Sequence, residues 1–151
     1  MRITAKVDYA VRAMCELAEQ GGGPVRGERL AAAQAIPQSF LENILNELKR
    51  AGLVATQRGV DGGYRLAKPA AEIPVADIIR AVEGPLADVR GARPDSLAYD
   101  GSALRLREVW LAVRASLRAV LEHVTVADIA EDHLPDFVPL LLSDPEALRP
   151  H

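Results

Sequence analysis

The sequence predicts a mainly α-helical protein with one small β-hairpin, in which a winged helix-turn-helix domain precedes a long helix. Three observations predict this fold class. Apolar residues recur at three- and four-residue spacing in the first half of the chain, which indicates amphipathic helices. Two short extended runs flank a glycine-rich segment at 59–63. The longest apolar stripe occupies residues 102–124.

The first predicted helix begins after Thr4, whose hydroxyl suits the N-cap position. Its apolar residues step by three and four through Val7, Met14 and Leu17, so one face of the helix is expected to be buried. The glycine-rich segment 21–24, which ends in a proline, stops the helix.

The second and third helices form the predicted helix-turn-helix. The second spans residues 28–34, and Pro37 suits the first position of the third helix, which ends at Gly52. Because only a few residues separate the two helices, the spacing matches this motif. The inner stripe of the third helix contains Phe40 or Leu41, followed by Ile44, Leu45 and Leu48.

A β-hairpin is predicted directly after the third helix. Its strands are residues 53–58 and 64–67, joined by a tip that contains Gly59, Gly62 and Gly63. Following a helix-turn-helix, such a hairpin is a wing. The glycines also permit a tight turn, and the two interpretations are compatible.

One long helix, starting near Ser102, dominates the second half of the chain. A shorter helix between Pro74 and Gly84 comes first, and an aperiodic loop at 85–101 separates the two. The stripe of the long helix continues for about five turns, and a monomer would leave it in water. We therefore expect a dimer interface formed by Leu106, Val109, Trp110, Val113, Leu117, Val120 and Leu121.

Composition and charge exclude several classes of protein. With 49% hydrophobic and 26% charged residues, the chain is too apolar to be disordered. It has no apolar run of about 20 residues and no secretory signal, so we expect a cytoplasmic protein that does not bind membranes. Residues 1–68 hold 10 Lys and Arg against 7 Asp and Glu, whereas residues 69–151 hold 8 against 14. This asymmetry permits a polyanionic partner, although ordinary surface variation also produces it.

The start of the third helix carries the small polar side chains of Gln38, Ser39 and Asn43. Such groups contact base edges when the N-terminus of a helix enters the major groove. Arg58, at the base of the wing, suits a narrow minor groove, and Lys49 suits a phosphate. The helix pair alone is equally compatible with a plain helical hairpin, but the wing favours DNA binding.

Several segments resemble one family of proteins. These are residues 1–13, 38–52, 78–84 and 124–129, together with the wing residues Arg58-Gly59 and the segment 62–67. They are similar to the Rrf2 family of bacterial winged helix-turn-helix transcriptional regulators, of the IscR, NsrR and CymR type. The resemblance covers about residues 1–132 and implies a homodimeric regulator, often a repressor, that binds double-stranded DNA. The two-fold symmetry of a dimer favours a pseudo-palindromic operator.

The resemblance also implies DNA contacts at individual residues. It places the start of the first helix at the phosphate backbone and Arg58 in the minor groove. Glu42 falls on the recognition helix, where a carboxylate accepts a hydrogen bond from cytosine or remains a solvated charge. The predicted DNA-contacting residues are Arg2, Thr4, Lys6, Gln38, Ser39, Phe40, Glu42, Asn43, Lys49, Arg58, Gly62, Gly63 and Tyr64.

The chain departs from the family at the metal site. Members that hold an iron–sulfur cluster have three cysteines in the loop before the long helix, and some add a histidine three residues before the tryptophan. Here the loop has no cysteine, and Arg107 stands three residues before Trp110. Asp8 matches a ligand position in some members, but one carboxylate is a poor site. We expect no metal and no cofactor, and Cys15 is expected to act as a small core hydrophobe.

The predicted domains are a DNA-binding winged helix-turn-helix at 1–84, a loop at 85–101, a dimerisation helix with a short following helix at 102–132 and an irregular, proline-rich tail at 133–151. A second function class is a protein-interaction module that works with a metabolic enzyme or another partner through the apolar tail at 137–142. A protein corepressor and a small-molecule effector are both open. An enzyme is least favoured, because the sequence offers no catalytic constellation.

Overall fold

Seven α-helices and one two-stranded antiparallel hairpin are present within residues 2–150, the part of the chain that the computed structural model describes. Met1, which opens the motif at 1–13, and His151, which ends the tail, lie outside the described residues. In chain order the elements are α1 (Ala5–Glu19), α2 (Gly27–Gln34), α3 (Gln38–Arg50), β1 (Val54–Gln57), β2 (Gly63–Leu66), α4 (Val75–Glu83), α5 (Leu106–Leu121), α6 (Val126–Ala130) and α7 (Phe137–Leu142).

The core lies around α1, which packs against α2, α3, α4, α6 and β2. The predicted apolar stripe of α1 is buried, with Met14 and Leu17 almost fully enclosed. On α3 the inward residue is Leu41, which is completely buried, whereas Phe40 is half exposed. A fully buried leucine contributes about 1.5–3 kcal/mol relative to an exposed one, so this stripe fixes which face of α3 points outward.

Local residues set the ends of the first helices. Thr4 caps α1 as predicted, because its Oγ1 accepts a hydrogen bond from the N–H of Val7 at 3.2 Å. Pro37 differs from the prediction, since it is the N-cap of α3 and not its first residue. The ψ of Pro37 is 126°, an extended value, and its carbonyl accepts the first helical bond from Leu41 at 3.0 Å.

The wing is a short hairpin with Val54 opposite Leu66. β1 is shorter than predicted because the N–H of Leu53 bonds to the carbonyl of Leu48 at 3.0 Å and so closes the end of α3. Tyr64 exchanges two backbone hydrogen bonds of 2.7 Å with Val25 on the other edge of β2. The segment between α1 and α2 therefore anchors the wing to the rest of the fold.

The long helix begins later than the sequence suggested. Residues 101–103 form a 3₁₀ turn, and α5 starts at Leu106 instead of near Ser102. The turn forms because Leu104 bonds back to the carbonyl of Gly101, a residue in the left-handed region with φ of 60°. The aperiodic loop before it is folded against the protein, since Pro94 is fully buried.

Short backbone links join α4 to α6. The N–H of Val75 bonds to the carbonyl of Val124, and the N–H of Val126 bonds to the carbonyl of Ile73, both at 2.9 Å. Thr125 and Asp128 form a reciprocal capping box at the start of α6. The helix ends at Ala130, before the predicted boundary near residue 132.

The tail corrects one prediction, because residues 133–151 are not irregular throughout. Phe137–Leu142 forms α7, and a 3₁₀ turn follows at Pro145–Leu148. Pro139 is compatible with α7 because it is the third residue, where a backbone N–H has no partner within the helix. None of the helices in residues 2–150 is long and apolar enough to cross a membrane.

Candidate nucleic-acid interface

The face of α3 opposite its buried stripe is a row of four exposed polar residues. Successive residues of a helix are about 100° apart, so Leu41, Ile44, Leu45 and Leu48 share the inward face. On the same wheel Ser39, Asn43, Asn46 and Arg50 point directly away from the core, and all four are exposed. Two of them, Ser39 and Asn43, were predicted to contact DNA.

The first turn of α3 is braced against α1 through aromatic rings. The rings of Tyr9 and Phe40 meet edge to face with centroids 6.3 Å apart. The guanidinium of Arg12 lies 5.4 Å from the centroid of Tyr9 and binds Asp8 at 2.9 Å. Phe40, predicted as a DNA contact, therefore has a structural neighbour while half of its side chain remains exposed.

A polar network fixes α2 beside the same part of α1. Glu16 is almost fully buried, and its carboxylate accepts hydrogen bonds from Gln34 at 2.9 Å and Gln20 at 3.2 Å. Arg12 also donates to the backbone carbonyl of Gln34. Because a buried carboxylate without partners is costly, these bonds hold α2, the first helix of the helix-turn-helix, against α1.

Two residues that were predicted to meet phosphate already have carboxylate partners. Nζ of Lys6 lies 2.8 Å from Oε2 of Glu47 on α3, with both side chains about one-third exposed. The hydroxyl of Thr4 donates to Glu83, at the end of α4, at 2.6 Å. Arg2 is exposed. Any phosphate contact by Lys6 or Thr4 therefore has to replace or share an existing bond.

The other predicted DNA-contacting residues of α3 differ in whether their side chains already form hydrogen bonds or ion pairs. Gln38 donates to Glu42 at 3.4 Å, so these two polar groups are partly satisfied by each other. Within residues 2–150 the side chains of Asn43 and Lys49 form no hydrogen bond or ion pair. Both are exposed and available to a ligand.

The wing holds Arg58 at the start of a closely packed tip. Gly62 is buried, and a Cβ there would lie 2.3 Å from the carbonyl oxygen of Gln57, so only glycine fits. A Cβ on Gly63 would lie 2.4 Å from the carbonyl oxygen of Val25. The guanidinium of Arg26 donates to the carbonyl of Val60 and ties the tip to the start of α2. Arg58 itself is exposed, while Tyr64 is half buried.

The second predicted surface is the apolar stripe of α5. No residue of α5 is buried in the single chain, although the helix has seven apolar residues on one side. Val109 is 52% exposed, whereas the other six residues of the predicted dimer interface are partly covered. An apolar stripe that its own chain covers only in part indicates a surface that meets another molecule.

Charged side chains join α5 to α4. Arg80 on α4 binds Asp77 at 3.0 Å and also binds Glu122, which follows α5. Glu122 accepts a second bond from Arg118 at 2.9 Å. The hydrogen bonds from Arg118 and Arg80 lower the pKa of Glu122 to about 2. The carboxylate therefore stays ionised and ties the two helices together.

The loop at 85–101 is tied to the start of α5. Arg107 donates to the backbone carbonyl of Asp95 at 3.0 Å and so closes the loop onto α5. Within residues 2–150, no group of three His, Cys, Asp or Glu residues is arranged to hold a metal ion. The single cysteine, Cys15, lies on α1, where burial raises the pKa of its thiol to about 11. A protonated, half-buried thiol is a poor ligand.

Sequence reasoning missed three residues of this surface. Asn46 continues the exposed row of α3 and was detectable from the helical period alone. Glu47, which binds Lys6, and Arg26, which binds the wing tip, act across 41 and 34 residues of sequence. No local pattern in one sequence reveals such contacts.

Comparisons with known proteins agree with this geometry. A family model described as "Rrf2: Iron-dependent Transcriptional regulator" matches residues 3–132. A Mycobacterium tuberculosis protein, named as a candidate HTH-type transcriptional regulator, is 48% identical over 145 residues, which cover 95% of this chain and 90% of the relative. The structure of CymR, the global cysteine regulator of Bacillus subtilis, matches with a TM-score of 0.74 and 32% identity, covering 87% of this chain and 98% of that one. IscR of T. potens matches with a TM-score of 0.72 and 34% identity, covering 100% and 93%.

Proposed function

The chain belongs to the Rrf2 family of DNA-binding transcriptional regulators, and from that premise we propose that it represses transcription as a homodimer bound to a pseudo-palindromic operator, without an iron–sulfur cluster. The observation that carries the proposal is the outward row of α3 beside the wing. A convex helix with uncommitted polar side chains, flanked by a hairpin with an exposed arginine, suits one major groove and the adjacent minor groove.

The partly covered stripe of α5 supports the homodimer. Two copies that pack their stripes against each other remove Val109, Val113 and Leu117 from water at once, in an isologous contact. Burial of apolar area contributes about 25 cal/mol per Å², so a stripe of this length is a substantial driving force. Such a dimer presents two copies of α3 that are related by a two-fold axis. This symmetry favours an operator with two similar half-sites, one or more helical turns apart.

The resemblance supports the repressor assignment, because members of this family are often repressors. A dimer that covers one face of a duplex at a promoter excludes polymerase without any further contact. We therefore propose that the protein lowers transcription of the genes beside its operator. The genes beside the operator, once mapped, point to the signal.

The side chains available as metal ligands argue against an iron–sulfur cluster in this chain, although the description of the family model names iron. Iron–sulfur clusters are bound mainly by cysteine thiolates, and the only cysteine is half buried with a raised pKa. Protein purified without oxygen is expected to carry no stoichiometric iron or sulfide and to lack visible absorption. Stoichiometric iron and sulfide with a visible spectrum would contradict this part of the proposal.

A second candidate function is the recruitment of a protein partner, and the tail favours it. Leu140, Leu141 and Leu142 on α7 are exposed by 69%, 55% and 55%. Three adjacent exposed leucines are unusual on a surface that meets only water. A metabolic enzyme or another protein corepressor bound there would modify DNA binding without replacing it. Measuring operator affinity with and without the partner separates the two roles.

Capture of genomic DNA fragments by the purified protein tests the main proposal. Fragments from a few discrete loci that share a two-fold motif are expected to be retained at moderate salt. Retention of fragments in proportion to their length alone would indicate charge-driven binding without sequence preference and would contradict the proposal.

A further inference from the structure

We propose that Asn46, in the third turn of α3, is a base-contacting residue that extends sequence recognition beyond the start of the helix. This inference rests on the proposed function, in which α3 enters the major groove. It names a specificity-determining residue that the predicted set Gln38, Ser39 and Asn43, nearer the start of α3, does not include.

The position of Asn46 on the helix is the first support. Asn46 follows Asn43 by three residues and Ser39 by seven, so the three side chains stack on one side of α3. That side is the one opposite the buried leucines, which makes it the ridge that reaches deepest into a groove. Glu42 and Lys49 lie on one flank of the ridge, and Glu47 lies on the other.

The hydrogen-bonding state of its amide is the second support. Within the described residues 2–150, neither Asn43 nor Asn46 uses its side chain in a hydrogen bond. The nearby amides behave differently: Gln38 donates to Glu42, and Gln34 bonds to Glu16. Asn43 and Asn46 are therefore the uncommitted amides of the ridge, with donors and acceptors free for base edges.

The surroundings of Asn46 are the third support. Asn46 lines a cleft between α3 and α1, together with Ser39, Asn43 and Lys6. The ion pair between Lys6 and Glu47 forms one wall and carries no net charge. Beside this neutral wall, the amide of Asn46 offers directional hydrogen bonds, although Arg50 also lines the cleft. Arg50, one turn further on, supplies the positive charge at the end of the ridge.

The chemistry of an amide specifies the expected base. The side-chain amide of asparagine donates to N7 of adenine and accepts from its N6 amino group, a bidentate pair that selects adenine in the major groove. Each residue of a helix rises about 1.5 Å, so Asn46 lies roughly 4.5 Å along the axis from Asn43. Successive bases on one strand are about 3.4 Å apart. The base pair contacted by Asn46 is therefore one or two steps from the one contacted by Asn43.

Selection of bound duplexes from a random library, with the full-length protein, tests the proposal. The wild type is expected to prefer adenine at one base pair of each half-site. Asn46→Ala should reduce that preference about fivefold or more and leave the other positions unchanged, in line with the loss of one bidentate contact. Asn43→Ala is the matched control and should alter a different base pair, one or two steps away. Alanine favours helix and Asn46 is exposed, so the variant keeps the fold.

Asn46→Asp provides a second variant with nearly the same shape. A carboxylate accepts from the amino group of cytosine, so the preference at the same base pair should move from adenine toward cytosine. An unchanged motif for both variants would overturn the inference, as would an equal loss of affinity for every sequence. If the wild type itself enriches no motif, the proposed function fails as well, and the two failures are therefore distinguishable.

Discussion

A variant of Arg58 distinguishes a specific contact between the wing and the minor groove from nonspecific electrostatic attraction to DNA. Its guanidinium is exposed at the start of a tip that is fixed by Gly62 and by the bond from Arg26 to Val60. Arg58→Ala should weaken binding to a mapped operator by about 1–3 kcal/mol. It should also reduce the preference for A·T pairs at the flanks, because a narrow A·T minor groove attracts an arginine. Fluorescence anisotropy with flank-substituted duplexes measures both effects.

Lys49→Ala is the matched control for Arg58→Ala. Lys49 is exposed on α3 and lies on the flank of the helix, where it suits phosphate. Its loss should weaken all sequences alike and lower the slope of affinity against salt by about one. If Arg58→Ala behaves like Lys49→Ala, or leaves affinity and flank preference unchanged, the wing does not contact the minor groove.

Cys15 should be unreactive in the folded protein. Burial raises the pKa of its thiol to about 11, so about one molecule in a thousand is a thiolate at pH 8. Only the thiolate is nucleophilic. Alkylation by iodoacetamide at pH 8, followed by mass spectrometry, should be at least about tenfold slower than in the guanidinium-unfolded protein. Equal rates in the two states would show an accessible, activated thiol and would contradict a packing role.

For single residues, the sequence predicted roles that depend on neighbouring residues better than contacts between residues far apart in the chain. The capping role of Thr4 follows from its place before an apolar period, and the structure confirms it. The partner of Lys6 was not predictable, because Glu47 is distant in sequence and approaches only when α1 packs on α3. The resemblance places Lys6 at the phosphate backbone, and in the structure Lys6 is paired with Glu47.

At the element scale, periodicity located α1 to α4 and both wing strands. It failed where a short-range feature competes with the period. Gly101 allows a 3₁₀ turn that delays the start of α5. The prolines of the tail led to the prediction of an irregular segment, but Pro139 lies in the first turn of α7, where a proline costs no helical hydrogen bond. The alternatives Phe40 and Leu41 are resolved by burial, since Leu41 is fully buried and Phe40 packs beside Tyr9 with half of its side chain exposed.

The junction between α4 and α5 should be sensitive to acid through Glu122. Its pKa is lowered from 4.5 to about 2 in the folded chain, so its contribution to stability is complete above pH 4.5 and is lost as the pH falls toward 2. Glu122→Gln should therefore lower the free energy of unfolding at pH 6, and the difference from wild type should vanish near pH 2. Urea titrations at both pH values measure it.

Glu131→Gln is the control for the junction, because Glu131 is exposed and lies outside the contacts of Arg80 and Arg118. It should leave the stability at pH 6 close to that of wild type. A Glu122→Gln variant as stable as wild type at pH 6 would show that the two arginines do not tie α4 to α5 in solution.

At the scale of the whole molecule, the partly covered stripe of α5 predicts the oligomeric state. Light scattering at micromolar concentration should give the mass of a dimer. Leu117→Asp places a carboxylate in the stripe and should weaken the dimer by about 2 kcal/mol or more, as for the central residue of an interface. Ala115→Asp adds the same charge on the opposite, exposed face of α5 and should leave the dimer intact. A monomeric wild type, or equal effects of the two variants, would contradict a dimer through α5.

Sequencing of duplexes that the wild-type protein selects from a random library shows whether a two-fold dimer reads DNA through α3 and the wing. We predict a pseudo-palindromic motif with two half-sites separated by one or more helical turns, and A·T-rich steps where Arg58 meets the minor groove. The Leu117→Asp variant should enrich that motif far less strongly. Enrichment of an asymmetric single site, or of no motif at moderate salt, would show that a two-fold dimer does not read DNA in this way.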